Sequence, residues 1–71
     1  MIIIHNITSE ASKEVESICD ILTLTYSATI SFVSDDLYDY DINIDESQLV
    51  PFIIRFLHRI NKSDYERIEI F

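Results

Sequence analysis

Tyr38-Asp39-Tyr40-Asp41-Ile42-Asn43-Ile44-Asp45 alternates apolar and polar side chains without a break. A β-strand sends successive side chains to opposite faces. Tyr38, Tyr40, Ile42 and Ile44 therefore share one face, and Asp39, Asp41, Asn43 and Asp45 share the other. One stretch thus defines a strand, a side that seeks a core and a row of carboxylates. The remainder of the chain can be placed against it.

Immediately upstream, Tyr26, Ala28, Ile30 and Phe32 alternate with Ser27, Thr29 and Ser31, which predicts a second strand with one polar face. Ser34-Asp35-Asp36-Leu37 is a short polar turn, so the two strands form a hairpin. Further back, residues 2–7 form a β-branched run with isoleucine on both faces, the pattern of a central strand. Between this run and the hairpin, Thr8 or Ser9 offers a helix N-cap, and Glu10 suits the positive end of the helix dipole. Ala11, Val15, Ile18, Cys19 and Leu22 then recur at helical spacing, predicting an amphipathic helix from about Ser9 to Thr23. Glu14, Glu16, Ser17 and Asp20 lie on its other faces.

Downstream, Asp45 or Ser47 can cap a second helix, with Pro51 tolerated near its start. Leu49, Ile53, Phe56, Leu57 and Ile60 make its core stripe, while Val50, Phe52 and Ile54 widen the apolar arc beyond what one core needs. Arg55, His58, Arg59 and Lys62 gather late in the helix, where the dipole favours cations. Residues 61–64 end it, and Tyr65 to Phe71 closes the chain as a strand. The order β-α-β-β-α-β predicts one α+β domain over residues 1–71, a compact two-layer sandwich of ferredoxin-like order. Four strands would form one sheet with both helices on one face, leaving Asp39, Asp41 and Asn43 at the centre of the open face.

Composition narrows the chemistry. The chain carries a net charge of −8. Residues 1–46 hold ten acidic and one basic residue, and residues 47–71 hold three acidic and four basic ones. Phosphate binding needs clustered Lys and Arg, so direct nucleic-acid binding is not expected, and a basic protein surface is the better partner. There is no glycine, so phosphate-cradling loops and dinucleotide fingerprints are excluded, and turns must rely on Asn, Asp and Ser. The single Cys19 cannot form an internal disulfide and fits a buried packing role in a reducing compartment. No apolar run has the length of a membrane span, so a cytoplasmic protein with no membrane contact is expected.

Asp39-x-Asp41-x-Asn43 matches the first half of an EF-hand loop, but the positions that should be Gly and the closing Glu are Ile44 and Val50. His5, Asp39 and Asp41 have side chains that bind divalent metals, yet nothing in their spacing requires it, and a solvated strand face accounts for them. No metal, cofactor or catalytic residue is expected. RNA-binding sheets of this order expose aromatics on central strands; here Tyr38 and Tyr40 alternate onto the buried side.

Asp35, Asp36, Asp39, Asp41, Asp45 and Glu46 place six carboxylates in twelve residues, and Glu14 and Glu16 add to them. Successive carboxylates on a strand face repeat at ~6.6–7 Å, close to the phosphate step of an extended nucleic-acid strand. In size, charge, missing glycine and α+β order, the chain resembles the small acidic inhibitors encoded by phages and mobile elements, including anti-CRISPR and DNA-mimic proteins. That resemblance implies inhibition of a host defence or nucleic-acid-handling protein by occlusion, in the host cytoplasm and without a cofactor. The basic face of the second helix departs from a uniformly acidic mimic. The alternative expectation is a self-associating structural or regulatory module, a homodimer using Phe52, Ile54 or the Phe71 edge.

Overall fold

Ile2, Ile4 and Ile7 have no exposed surface. All three belong to β1 (Ile2–Thr8), which lies between two other strands in the computed structural model of residues 1–71. The remaining elements are α1 (Ser9–Ile21), β2 (Tyr26–Ser34), β3 (Leu37–Ile44), α2 (Leu49–Arg59) and β4 (Arg67–Ile70). The sheet is antiparallel with the order β2-β3-β1-β4, which puts the first and third strands in the centre, as expected for a split-βαβ arrangement.

Strict alternation would place Ile2, Ile4 and the sixth residue on one face, not Ile7. A β-bulge solves this. Between Ile4 and Ile7, β1 spends one residue more than β3 does between Tyr40 and Tyr38. Asn6 adopts φ 52° there, a conformation asparagine tolerates better than most residues. Its freed N–H is taken by Asp39 Oδ1 at 3.2 Å. The bulge returns Ile7 to the core face.

Thr8 caps α1, its hydroxyl accepting from the Ala11 N–H at 3.2 Å. At the other end, Leu24 N–H donates to Cys19 O at 3.0 Å and Thr23 N–H to Asp20 O at 3.1 Å. This is a Schellman motif, with Thr23 at φ 50° in the place usually held by glycine. α2 follows a 3₁₀ turn at Glu46–Gln48. Neither Asp45 nor Ser47 caps it: Gln48 occupies the N-cap position, and no side chain makes a capping bond.

One cluster joins Ile2, Ile4, Ile7, Tyr40 and Ile42 of the sheet to Ala11, Val15, Ile18 and Cys19 of α1 and to Phe52 and Phe56 of α2, with Ile60 just beyond. Both helices therefore cover the same sheet face. Phe52, expected as a self-association residue, is fully buried and has no surface to offer a partner. Leu57, placed in the core stripe by spacing, is instead 57% exposed. α2 turns the Phe52–Phe56–Ile60 line inward, so Val50, Ile54 and Leu57 face outward. No helix is long and apolar enough to cross a membrane.

The core stops short of β2. After Tyr26, every residue of that strand is exposed, including Ile30 and Phe32. Their cross-strand partners Tyr40 and Tyr38 belong to the helix-covered face, so the apolar side of β2 lies on the correct face but beyond the reach of the helices.

Candidate functional site

Cross-strand register builds the open face row by row. Ser27 lies opposite Asn43, Thr29 opposite Asp41 and Ser31 opposite Asp39. Asp41 faces Ile3 on its other side, and Ile3 faces Glu69. His5 is paired with Arg67. Three short hydroxyl side chains thus flank the two aspartates, so on the β2 side nothing longer stands above their carboxylates.

Towards β4 the face changes character. His5 Nε2 shares a hydrogen bond of 2.5 Å with Glu69 Oε1, and its Nδ1 lies 3.8 Å from Asp39 Oδ1. Arg67 reaches Glu69 at 2.9 Å and Glu66 at 3.2 Å. The His5 hydrogen bond, helped by the Arg67 charge, holds the Glu69 carboxyl below its ordinary value of 4.5. No group of three or more His, Cys, Asp or Glu side chains converges on a metal-sized position. With Ile3 opposite both Asp41 and Glu69, regular register brings His5, two residues on along the same face, between Asp39 and Glu69, whereas the Asp41 carboxylate makes no hydrogen bond or ion pair.

The carboxylates singled out in the sequence occupy several surfaces. Asp39 and Asp41 lie on the open face, and Asp35 and Asp36 lie at the hairpin turn, with Asp35 at φ 46°. Asp45 and Glu46 lie at the opposite end of β3. Glu14 and Glu16 belong to α1, in the other layer, and do not join this row. Glu14 is also partly neutralised, because Arg59 of α2 donates to it at 3.2 Å. Of the basic group late in α2, Arg59 alone pairs within the chain; Arg55, His58 and Lys62 make no ion pair. Of thirteen acidic residues, only Glu14, Asp39, Glu66 and Glu69 have a cationic or histidine partner, leaving nine without one.

No protein-family model matches the chain, and no curated protein or solved structure matches it either. The site therefore rests on its own geometry.

The concavities are shallow and peripheral. One of about 250 Å³ lies between the start of α1 and the end of α2, beside the Glu14–Arg59 pair. Another, about 390 Å³, is an apolar cup at the sheet end formed by Met1, Ile44, Leu49, Ile70 and Phe71. Neither includes Asp39 or Asp41. The buried ionisable groups lie in the core. Burial pushes the Cys19 thiol up to about 11, with Asp20 and Glu16 adding to the effect. Burial likewise pushes the Tyr40 hydroxyl up to about 12. Both stay protonated near neutrality.

Sequence alternation found the aspartate row and its hydroxyl flank. It missed the His5–Glu69 pair, which depends on the register of β4 against β1. It also missed the bareness of β2, although the absence of charge from Ile21 to Ser34 was a legible sign that this strand differs from the rest of the surface.

Proposed function

We propose that this protein is a non-catalytic binding protein that sets the acidic side of its hairpin against a basic protein surface and blocks that surface for nucleic acid. The observation that carries the reading is the placement of Asp41 and Asp39 on a central strand beside Ser27, Thr29 and Ser31, continuing to Asp35 and Asp36 at the turn. Four carboxylates follow one rigid ribbon. Fixed charges of this kind need no ordering on binding, unlike those of a flexible polyanion. They also raise the rate of encounter with a cationic groove. Binding of this kind would inhibit by occlusion and needs no cofactor.

The test must spare Asp39, which caps the β1 bulge through the Asn6 N–H. The variant of choice is therefore Asp35→Asn/Asp36→Asn/Asp41→Asn. The wild type, immobilised in a bacterial lysate at low salt and eluted with a salt gradient, is expected to release a basic nucleic-acid-handling complex. Added in solution, it should reduce nucleic-acid binding by that complex. The triple variant should elute at markedly lower salt and inhibit at least tenfold less. Equal inhibition by the triple variant would overturn the reading.

A further inference from the structure

β2 is the exposed edge of the sheet opposite β4, and it lacks the usual protections of an edge. Natural edges are shortened, charged, interrupted by proline or covered. β4 is such an edge, four residues long with Arg67 and Glu69 in it. β2 has nine residues, none of them charged, proline or glycine. Only a bulge at its far end, between Phe32 and Ser34, disturbs it. The regular part, Tyr26 to Phe32, leaves a row of backbone donors and acceptors unpaired on its outer side. Ile30 and Phe32 are 49% and 67% exposed on its apolar face.

We propose that a second copy of this chain covers this edge, β2 pairing antiparallel with β2 about a two-fold axis at Thr29, so that two four-stranded sheets join into one of eight. The proposal does not depend on the acidic face having a partner.

Charge selects the occupant. Two copies of net charge −8 repel overall, so a contact made through an uncharged segment meets the least opposition. The uncharged run from Ile21 to Ser34, bounded by Asp20 and Asp35, is the longest such segment in the chain. Strand spacing then keeps the nearest carboxylates apart. Asp41 is paired with Thr29, so across the axis two Asp41 side chains would be three strand spacings apart, ~14 Å. That exceeds the ~8 Å screening length at physiological salt. The hairpin turns, with Asp35 and Asp36, would lie at opposite ends of the joined ribbon.

Side chains match in the same register. With Thr29 on the axis, Tyr26 meets Phe32, Ala28 meets Ile30 and Ser27 meets Ser31. Aromatic pairs, hydroxyl pairs and a small residue beside a large one are favourable cross-strand combinations. The axis pairs positions of equal parity, so outward-directed backbone groups meet each other. The seven-residue contact is ~24 Å long, which places it among weak, concentration-dependent interfaces.

Sedimentation velocity from 5 µM to 1 mM tests this. The wild type is expected to shift from monomer to dimer within that range. Thr29→Glu, at an exposed position, places two carboxylates on the axis beside Asp41. It should stay monomeric with an unchanged circular dichroism spectrum. Mixing Thr29→Glu with Thr29→Lys should restore a dimer, now of unlike chains. Ile54→Asp, on the outer side of α2, should dimerise as the wild type does. A wild type that stays monomeric at 1 mM would sink the proposal. So would a Thr29→Glu chain that dimerises normally, an unlike mixture that does not associate, or a dimer lost in Ile54→Asp.

Discussion

Thr23 holds φ 50° immediately after the last turn of α1, where the two bonds of the Schellman motif converge. For a β-branched residue this conformation is an outlier, and left-handed geometry costs ordinary residues about 1–2 kcal/mol. Glycine occupies it freely. Thr23→Gly is therefore expected to raise stability by about 1 kcal/mol in urea unfolding, whereas unchanged or lower stability would mean that the Thr23 hydroxyl bond to Leu22 O outweighs the strain. The lack of glycine foretold that other residues must hold such positions, and Asn6 and Asp35 are of the expected types. Thr23 is not, because threonine has no propensity for this region; only the geometry of the helix end requires it. His5 was also readable only in part. Its place opposite β3 follows from strand order, but its approach to Glu69 follows from the β1–β4 register, with Ile3 opposite Glu69 and His5 opposite Arg67, and alternation does not fix a register.

α2 shows how an element divides an ambiguous pattern. Apolar residues fill so much of its circumference that spacing alone allows several stripes. The choice falls to the sheet beneath it and to α1 beside it, which take Phe52, Phe56 and Ile60 and leave Val50, Ile54 and Leu57 outside. Phe52 touches Phe56 with ring centroids 6.0 Å apart, and Phe56 meets Tyr65 edge-on at 5.0 Å. Phe52→Ala should cost about 3–5 kcal/mol, much of the stability of a domain of this size. Ile54→Asp should cost less than about 1 kcal/mol, as at other exposed positions. Thermal unfolding followed by circular dichroism distinguishes them, and a mild effect at Phe52 would contradict this packing. The hairpin, by contrast, was legible from alternation down to the facing of Asp39 and Asp41. Its uncovered apolar side was not, because alternation tells which face a residue takes and not how far the opposite layer extends.

Across the whole molecule, the acidic surface is mostly unpaired, and its few pairs lie at the solvent boundary, where each contributes little. The His5–Glu69 contact differs in linking the first strand to the last. Because Glu69 is held below 4.5 in the fold, the unfolded chain takes up this proton at a higher pH than the folded one does. Its contribution is present above that range and fades as acid protonates the folded carboxyl. Below roughly pH 5, melting temperature should therefore fall more steeply for the wild type than for Glu69→Gln, and parallel slopes would exclude the linkage. The central place of β1 has a further consequence in time. Its partners β3 and β4 arise far along the chain, so the middle of the sheet closes through long loops, which slows folding. The β2–β3 hairpin needs only a two-residue turn and can form on its own within microseconds. During folding, an uncharged edge is thus on offer before the rest of the sheet has assembled. Asp20 and Asp35, at the two ends of that run, stand where gatekeeper charges limit runaway strand association.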